Sequence, residues 1–509
     1  MSATSCRKQS TLVGLAFVCA AAVAAPGHAQ SYPQFNLTGV TVYDPAELLG
    51  FAASSVVSQG GAVSAEQLAE TVQTIYQSDG YFLAEVFVAD DGRTLVVDEG
   101  EIADVRIEGM DEATFRLARR YVQPVVGKRA INLREFERAI MLVEDIESVS
   151  ATAEVFYELG ATHASLRVVA TEEDLSFGSL TLDTPERDPD EAVALTMEQT
   201  FLAALTPGDL LRLNLTASEG LDAGRQSLSG SVAYRMPVGG SGGFAEAYLG
   251  SVTARRDASG SLIASDFEGA TAVFALGYPV LRDVETYGFG IVELRQSGNS
   301  SSTASDTFDS KVSVASASWV YGRALNRGGA LEYALSASYG RQHDPATGDG
   351  DERFAFVHFG AGFETPASWL GDGGALRAEV WGQLSADNLP GIEKFYVGGH
   401  SDDRGYAFGE ADGDSGLSAT IEVSREFRPA LDGLRYLRPF GFLDAAYVRN
   451  NEATPPEQGS GSFASLGIGL DAAVTNGLLL RSFVAVPLKD GPLTESGDPS
   501  VYVSLSSTW

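Results

Sequence analysis

From Asp174 to Trp509 the chain alternates apolar and polar residues almost without a break. In an extended strand, a period of two puts successive side chains on opposite faces. Leu211, Leu213, Leu215 and Ala217 alternate with Arg212, Asn214, Thr216 and Ser218. Leu376, Ala378, Val380, Gly382 and Leu384 alternate with Arg377, Glu379, Trp381, Gln383 and Ser385, so all the charge of that segment falls on one face. One such segment also suits a half-buried strand of a soluble sandwich. Repetition narrows the choice. Strands are expected to start near Asp174, Ala192, Asp209, Gln226, Gly243, Gly269, Glu285, Lys311, Ala330, Arg353, Ala375, Gly416, Arg438, Phe463, Gly477 and Pro499. That is an even set of sixteen, joined by alternately short and long polar turns. A transmembrane barrel, with lipid outside and a polar lumen inside, has this layout.

The chain ends in the same rhythm. Val501, Val503, Leu505 and Trp509 share one face, while Tyr502, Ser504, Ser506 and Thr508 share the other. A terminal aromatic in phase with the apolar face suits a last strand that closes a barrel, and marks Trp509 as a barrel signal read at the membrane interface.

The N-terminus bears on the compartment. Arg7 and Lys8 precede an apolar run from Leu12 to Ala25, and Gly27-His28-Ala29 supplies small residues at a cleavage position. This is the pattern of a secretory signal peptide over residues 1–29. Cys6 and Cys19 both lie inside it, so no disulfide framework is expected in the mature protein. The formal charge is −33, and removal of Arg7 and Lys8 makes it −35. Such a surface repels nucleic acid, whose phosphates require Lys and Arg. No later segment is apolar for the eighteen residues that a helical span requires.

Residues 30–171 read differently. A short strand, Phe35 to Val42, leads into Asp44-Pro45-Ala46-Glu47, a helix-start signal that Ser64-Ala65-Glu66-Gln67 repeats. Leu68, Val72, Ile75 and Tyr76 share one helical face, and strands follow at Tyr81–Ala89 and Thr94–Asp98. The order then recurs: a strand Ile102–Glu108, a helix from Asp111, a helix capped by Asn132, and strands Val149–Tyr157 and His163–Ala170. Two tandem β-α-α-β-β units, 30–100 and 101–171, precede an all-β barrel at 172–509.

Catalytic patterns fail on context. His28, His163, His343, His358 and His400 are scattered, without metal-ligand spacing. Gly239-Gly240-Ser241-Gly242-Gly243 fits a nucleophile-elbow pattern, which needs a strand-to-helix turn, yet strands flank it on both sides. Gly348-Asp349-Gly350-Asp351 and Asp412-Gly413-Asp414 lack the spacing of a calcium loop and read as solvated acidic loops. No enzymatic activity, cofactor or metal is expected.

The stretch GGHSDDRGYAFGEADGDSG, residues 398–416, lies between the eleventh and twelfth expected strands and carries a single arginine, Arg404, among acids. Folded inward over 388–415, it would need a carboxylate on the barrel wall, because an unpaired buried guanidinium is costly. On the thirteenth strand Phe440, Phe442 and Asp444 share one face and supply a candidate. Gly405 permits close backbone approach and Tyr406 can pack beside it. A mobile surface loop with a solvated arginine is the alternative.

These motifs resemble those of the two-partner secretion transporters (TpsB, the haemolysin secretion/activation family), within the superfamily of POTRA-plus-barrel outer-membrane proteins. The matching runs are Gly80-Tyr81, Val97-Asp98-Glu99-Gly100, Gly398-Gly399, Arg404-Gly405-Tyr406, Gly413-Asp414-Ser415-Gly416 and Phe440-x-Phe442-x-Asp444. The resemblance covers essentially the whole mature chain. It implies two periplasmic POTRA domains, a sixteen-stranded barrel in the outer membrane of a Gram-negative cell, and an in-folded loop locked by Arg404 on Asp444. It also implies type V secretion of a partner exoprotein, TpsA-like and large and β-helical, without ATP. Further expectations are contact with outer-membrane lipid, biogenesis through the barrel assembly machinery, and a monomer. β-Augmentation by the partner would use a groove at Leu68, Val72, Ile75, Tyr81, Leu83, Val86 and Val88; the bland reading is that these residues only hold the fold.

Three departures stand out. Asp403 replaces the family's usual valine beside the arginine, and Ala446 stands where the wall motif has glycine. The first unit is expected to begin about six residues after the cleavage position, which leaves no room for the helix and linker that often plug the family's pore. A barrel-assembly factor, a passive channel and a secreted hydrolase are the competing readings.

Overall fold

The computed structural model describes residues 34–509, apart from 59, 61–62, 159–162, 173–174, 185–191, 221–223, 258–263, 304, 344–351, 402, 454–458 and 475–476. The expected signal peptide and the acidic run Gly348–Asp351 therefore lie outside the described residues. The chain divides into two compact units, Met1–Glu173 and Asp174–Trp509.

In the first unit, β1 (Asn36–Thr38), α1 (Pro45–Ser58), α2 (Ala65–Ser78), β2 (Glu85–Val88) and β3 (Thr94–Asp98) form one module. β3 lies between β1, which is parallel to it, and β2, which is antiparallel. β4 (Ile102–Glu108), α3 (Glu112–Val122), α4 (Leu133–Glu144), β5 (Val149–Tyr157) and β6 (Ala164–Glu172) repeat that topology, with sheet order β4-β6-β5. Local chemistry sets the helix starts. Asp44, Ser64 and Asp111 accept N–H groups of the first turns, and Asn132 and Glu135 form a capping box. This architecture is consistent with POTRA domains.

β2 is shorter than its sequence suggests. Gly80 adopts φ +92°, the Tyr81 N–H bonds back to the Tyr76 carbonyl, and the Ala84 N–H bonds to Tyr81. Residues 81–84 thus form a turn that carries Phe82 and Leu83 into the second module, where Phe82 packs on Phe136 at 5.3 Å.

Polar contacts bind the same two modules. Glu99 is fully buried, and its carboxylate accepts the Thr41 N–H (2.6 Å), the Thr41 hydroxyl (2.5 Å), the Val42 N–H (3.2 Å) and the Tyr76 hydroxyl (2.8 Å). From the second module, Arg129 places Nε 3.4 Å from Glu99 and donates from Nη2 to the Gly39 carbonyl. Burial alone would raise the Glu99 carboxyl, but the hydrogen bonds from Thr41, Tyr76 and Val42 outweigh it and hold the group below the usual carboxylate range.

In the second unit, among the described residues, sixteen antiparallel strands close into one barrel. The first (Ser176–Asp183) pairs with the sixteenth (Ser500–Thr508) through Ser179–Asp183 and Ser504–Thr508. Strand starts fall within four residues of the expected ones: the sixth begins at Ser265, the eighth at Thr307 and the thirteenth at Leu434. The outer face is apolar and uncovered; Leu249, Leu294, Ile468 and Val501 are each more than 60% exposed. Such a band is unstable in water and stable against lipid. Gly239–Gly243 is a hairpin turn between the fourth and fifth strands, with Gly239 and Gly242 at positive φ.

Candidate functional site: an arginine-tipped loop inside the barrel

The long connection between the eleventh strand (Gly374–Ser385) and the twelfth (Ser415–Arg425) folds back on itself. Phe395–Val397 pairs antiparallel with Ala411–Gly413, so the two limbs form a short ribbon and residues 398–410 make its tip. Glycines shape the tip: Gly398, Gly399, Gly405 and Gly409 all have positive φ. A Cβ on Gly398 would lie 2.0 Å from the Ala407 carbonyl oxygen, so only glycine fits there.

Arg404 is buried at the far end of the tip. Its Nε and Nη2 donate to the two oxygens of Asp444 at 2.8 and 2.9 Å, a bidentate pair. Its backbone N–H donates to the same carboxylate at 3.1 Å, and Nη1 reaches Glu422 of the twelfth strand at 2.9 Å. The guanidinium also lies 3.4 Å from the Phe442 ring centroid, against its π face. Thr420 donates to Asp444 at 2.9 Å. Two carboxylates around one guanidinium satisfy the buried cation and hold it by geometry as well as charge.

The rest of the tip is fixed as closely. The Tyr406 hydroxyl lies 3.0 Å from the carbonyls of Ala464 and Lys489, and its ring meets Phe463 edge-on at 5.3 Å. Ala446 packs in that cluster, where its methyl group fills space a glycine would leave. Asp403 has φ +54° and accepts a hydrogen bond from Ser418 at 3.1 Å. Aspartate tolerates such a backbone better than β-branched valine, so the departure from the family pattern matches the local geometry. Phe440 sits a little apart, in a cluster with Phe442, Phe483 and Tyr502.

Sequence reasoning missed several members. Glu422 is on the inner face, in register with Phe442, but nothing in its own segment singles it out. Glu410 is buried and accepts the N–H groups of Leu493 and Thr494, the Thr494 hydroxyl at 2.6 Å, and the Ala407 N–H. It thereby ties the loop to the last connection of the barrel, and backbone donors leave no side-chain signature. Asp412 pairs with Lys394 at 3.1 Å, while Asp414 accepts the N–H groups of Leu389 and Asn451, both at 2.7 Å. Asp414 is thus a buried structural acceptor rather than a solvated acid, while Asp412 is ion-paired and partly exposed.

The lumen wall is uneven. On the second to seventh strands its side chains include hydroxyls bonded to one another: Thr196 with Thr216 at 3.1 Å, Ser218 with Ser227 at 2.6 Å, and Thr271 with Ser297 at 3.1 Å. The twelfth to fifteenth strands carry the charges and rings that hold the tip.

In the first unit, the expected groove needs correction. Leu68 and Val72 are fully buried and Leu83 belongs to the second module's core, because the apolar face of α2 and the turn after it are used up in packing. Ile75, Tyr81, Val86 and Val88 are half-buried against the first core. What β2 leaves open is the edge away from β3, with Glu85 and Phe87 exposed.

The family model for haemolysin secretion/activation proteins ShlB/FhaC/HecB matches residues 164–472. The chain belongs to that family. It is therefore an outer-membrane β-barrel of the two-partner secretion class, a secretion transporter. Among solved structures it is similar to CdiB from Escherichia coli (16% identity, TM-score 0.77, covering 97% of this chain and 93% of that one). It is also similar to CdiB from Acinetobacter baumannii (16% identity, TM-score 0.73, 94% and 89%). BamA from Haemophilus ducreyi lacking POTRA domains 1–3 is more distant (16% identity, TM-score 0.53, 93% and 100%). At such identities the likeness speaks for the fold. No curated protein matches the chain in sequence.

Proposed function

We propose that this family member takes up an unfolded partner exoprotein on the periplasmic side and passes it through the barrel to the cell surface. The open edge of β2 offers main-chain donors and acceptors to an extended segment, a mode of recognition that tolerates varied sequence. Passage needs neither ATP nor a catalytic residue, because folding outside prevents return. The observation that carries the reading is the loop. A polar lumen is occupied by a tip held through one arginine and a few hydrogen bonds, contacts that can be broken and remade without unfolding the wall. Beside it, the wall of the second to seventh strands presents hydroxyls bonded to one another and charges that are themselves paired, such as Arg235 with Glu246 at 2.7 Å.

Quantitative proteomics of medium and outer membrane, in wild type and a deletion strain, tests this. The expected result is loss of one large exoprotein from the medium with other barrels unchanged. A broad fall of outer-membrane barrels would make the chain an assembly factor instead.

A further inference from the structure

On one side of the barrel, the inner face of the wall is taken by the loop. Val312, Val314, Phe354 and Phe356 of the eighth (Thr307–Leu325) and tenth (Glu352–Pro366) strands bury Leu389, while Arg295 of the seventh (Thr286–Thr303) pairs with Glu393 at 2.7 Å. The residues between them therefore point outward. Lys311, Ser313, Arg353 and Ala355 do so, with Arg341 and His343 of the ninth strand (Gly329–His343), and all six are exposed. Register sets the basic groups against one another: Arg341 lies directly opposite Arg353, and Lys311 directly opposite His343. Like charges in facing positions destabilise a sheet. Two acids border the row: Asp309, one step beyond Lys311 on the same face, and Asp387, whose carboxylate accepts the Ala355 N–H at 2.8 Å. Toward the barrel's waist the same face is hollow. The eleventh strand stops at Ser385, opposite Phe356, while the tenth runs on past it to Glu352. The step leaves a groove of about 600 Å³, lined by Ala337, Ala355, Val357, Leu384, Leu417 and Tyr447, with Arg449 at its edge. Both features lie at the end of the barrel where connections are long, Ser385 to Ser415 and Arg449 to Ser460, against Leu325 to Gly329 at the other end. Long connections of such barrels face the outside of the cell.

We propose that this face binds a lipid of the outer leaflet that carries phosphates on its headgroup and several acyl chains, a lipopolysaccharide. Lys311, Arg341 and Arg353 take the phosphates, and the alanine-lined groove takes acyl chain. A guanidinium pairs with phosphate through two parallel hydrogen bonds. One phosphate between Arg341 and Arg353 thus turns a repulsion across the ladder into two charge-assisted pairs. The small side chains at 337 and 355 leave room on the outer face for methylene groups, and Val357, Leu384 and Leu417 cover them with apolar surface. A phospholipid with one phosphate and two chains would leave part of the row unused. The inference rests on the barrel's orientation in the outer membrane, and on no step of transport.

The test uses the full chain purified from cells in detergent, as wild type, as Lys311→Gln with Arg353→Gln, and as Ala355→Trp. Each is assayed for lipopolysaccharide carried through purification. Each is also assayed for the temperature at which the folded barrel unfolds after addition of purified lipopolysaccharide, phosphatidylglycerol or inorganic phosphate. Wild type is expected to carry lipopolysaccharide and to gain stability from it alone. The double variant and Ala355→Trp, folded to the same extent, should lose most of the bound lipid and that gain. In lipid-free detergent the double variant should melt no lower than wild type, because a repulsion has been removed; a lower transition would mean that these cations only hold the fold, and would overturn the site. Equal retention of lipopolysaccharide by the double variant would overturn it too. An equal gain from phosphatidylglycerol or inorganic phosphate would overturn the assignment to lipopolysaccharide. Thr307→Cys, at the same end of the barrel and with Cys6 and Cys19 replaced by serine, checks the orientation separately. Labelling by a membrane-impermeant maleimide on intact cells is expected, and its absence would overturn placement in the outer leaflet. These readouts stand whether or not an exoprotein depends on the chain, so the two readings fail separately.

Discussion

Arg404 shows how one side chain can make a loop both firm and releasable. Its guanidinium gains a bidentate carboxylate, a second carboxylate and an aromatic face, and loses water. Breaking a buried pair by removing one partner typically costs about 3–5 kcal/mol. Asp444→Asn should therefore weaken the loop far more than a surface change, and it should lower the temperature at which the folded barrel converts to the unfolded band on heated gels. An unchanged transition would mean that Glu422 suffices to hold the arginine. Gly405 has φ +99°, and an added Cβ would sit 3.1 Å from the Ala485 Cβ. Gly405→Ala should impose roughly 1–3 kcal/mol of backbone strain, seen as faster protease nicking of the loop at residues 398–410 on intact cells. Nicking at the wild-type rate would count against a tightly seated tip.

Among the elements, the joint between the two N-terminal modules is the clearest coupling device. The Glu99 carboxyl is held below its ordinary range, so the folded value lies under the unfolded one, about 4.3. A group shifted in that direction stabilises the fold at every pH above the unfolded value, and the contribution disappears as pH falls through the folded value. Helix melting followed by circular dichroism should accordingly hold its midpoint from neutral pH down to the usual carboxylate range and drop below it. Glu99→Gln should lower the midpoint at neutral pH and flatten that acid dependence. A variant that melts like wild type at every pH would show that the apolar contact of Phe82 with Phe136 carries the joint by itself. How far such elements could be read beforehand depended on periodicity. Barrel strands announce themselves because lipid and lumen impose opposite demands on alternate residues. Their starts drift at Ser265 and Thr307 because the ladder runs on into polar stretches, where alternation fades, and at Leu434 because a register shift between Leu434 and Tyr436 breaks the period of two. Arg404 and Asp444 were legible as a lone cation and a wall acid. Leu389, Glu393 and Glu410 were not, since residues 386–397 have no period and the partners lie on distant strands or are backbone N–H groups.

For the whole molecule, the fold explains why a chain of formal charge −33 can live in a membrane. Exposed leucines and valines form the outer face, hydroxyls and ion pairs the inner one, and the loop fills part of the space between. If cargo slides along the hydroxyl wall, bulk there should obstruct it. Ser231→Trp, on the inner face of the fourth strand (Gln226–Val238) in register with Asn214, should reduce exoprotein release while the amount of folded barrel stays constant. Full release would move the path elsewhere in the lumen. The most direct test of the central claim is complementation of the deletion strain with Arg404→Ala, reading the exoprotein in the medium and folded barrel in the membrane from the same cells. The account predicts normal barrel and a loss of that one exoprotein of about ten-fold or more, because the tip can no longer be remade on Asp444 and Glu422 once it has been released. Undiminished release from a normally folded Arg404→Ala barrel would contradict it.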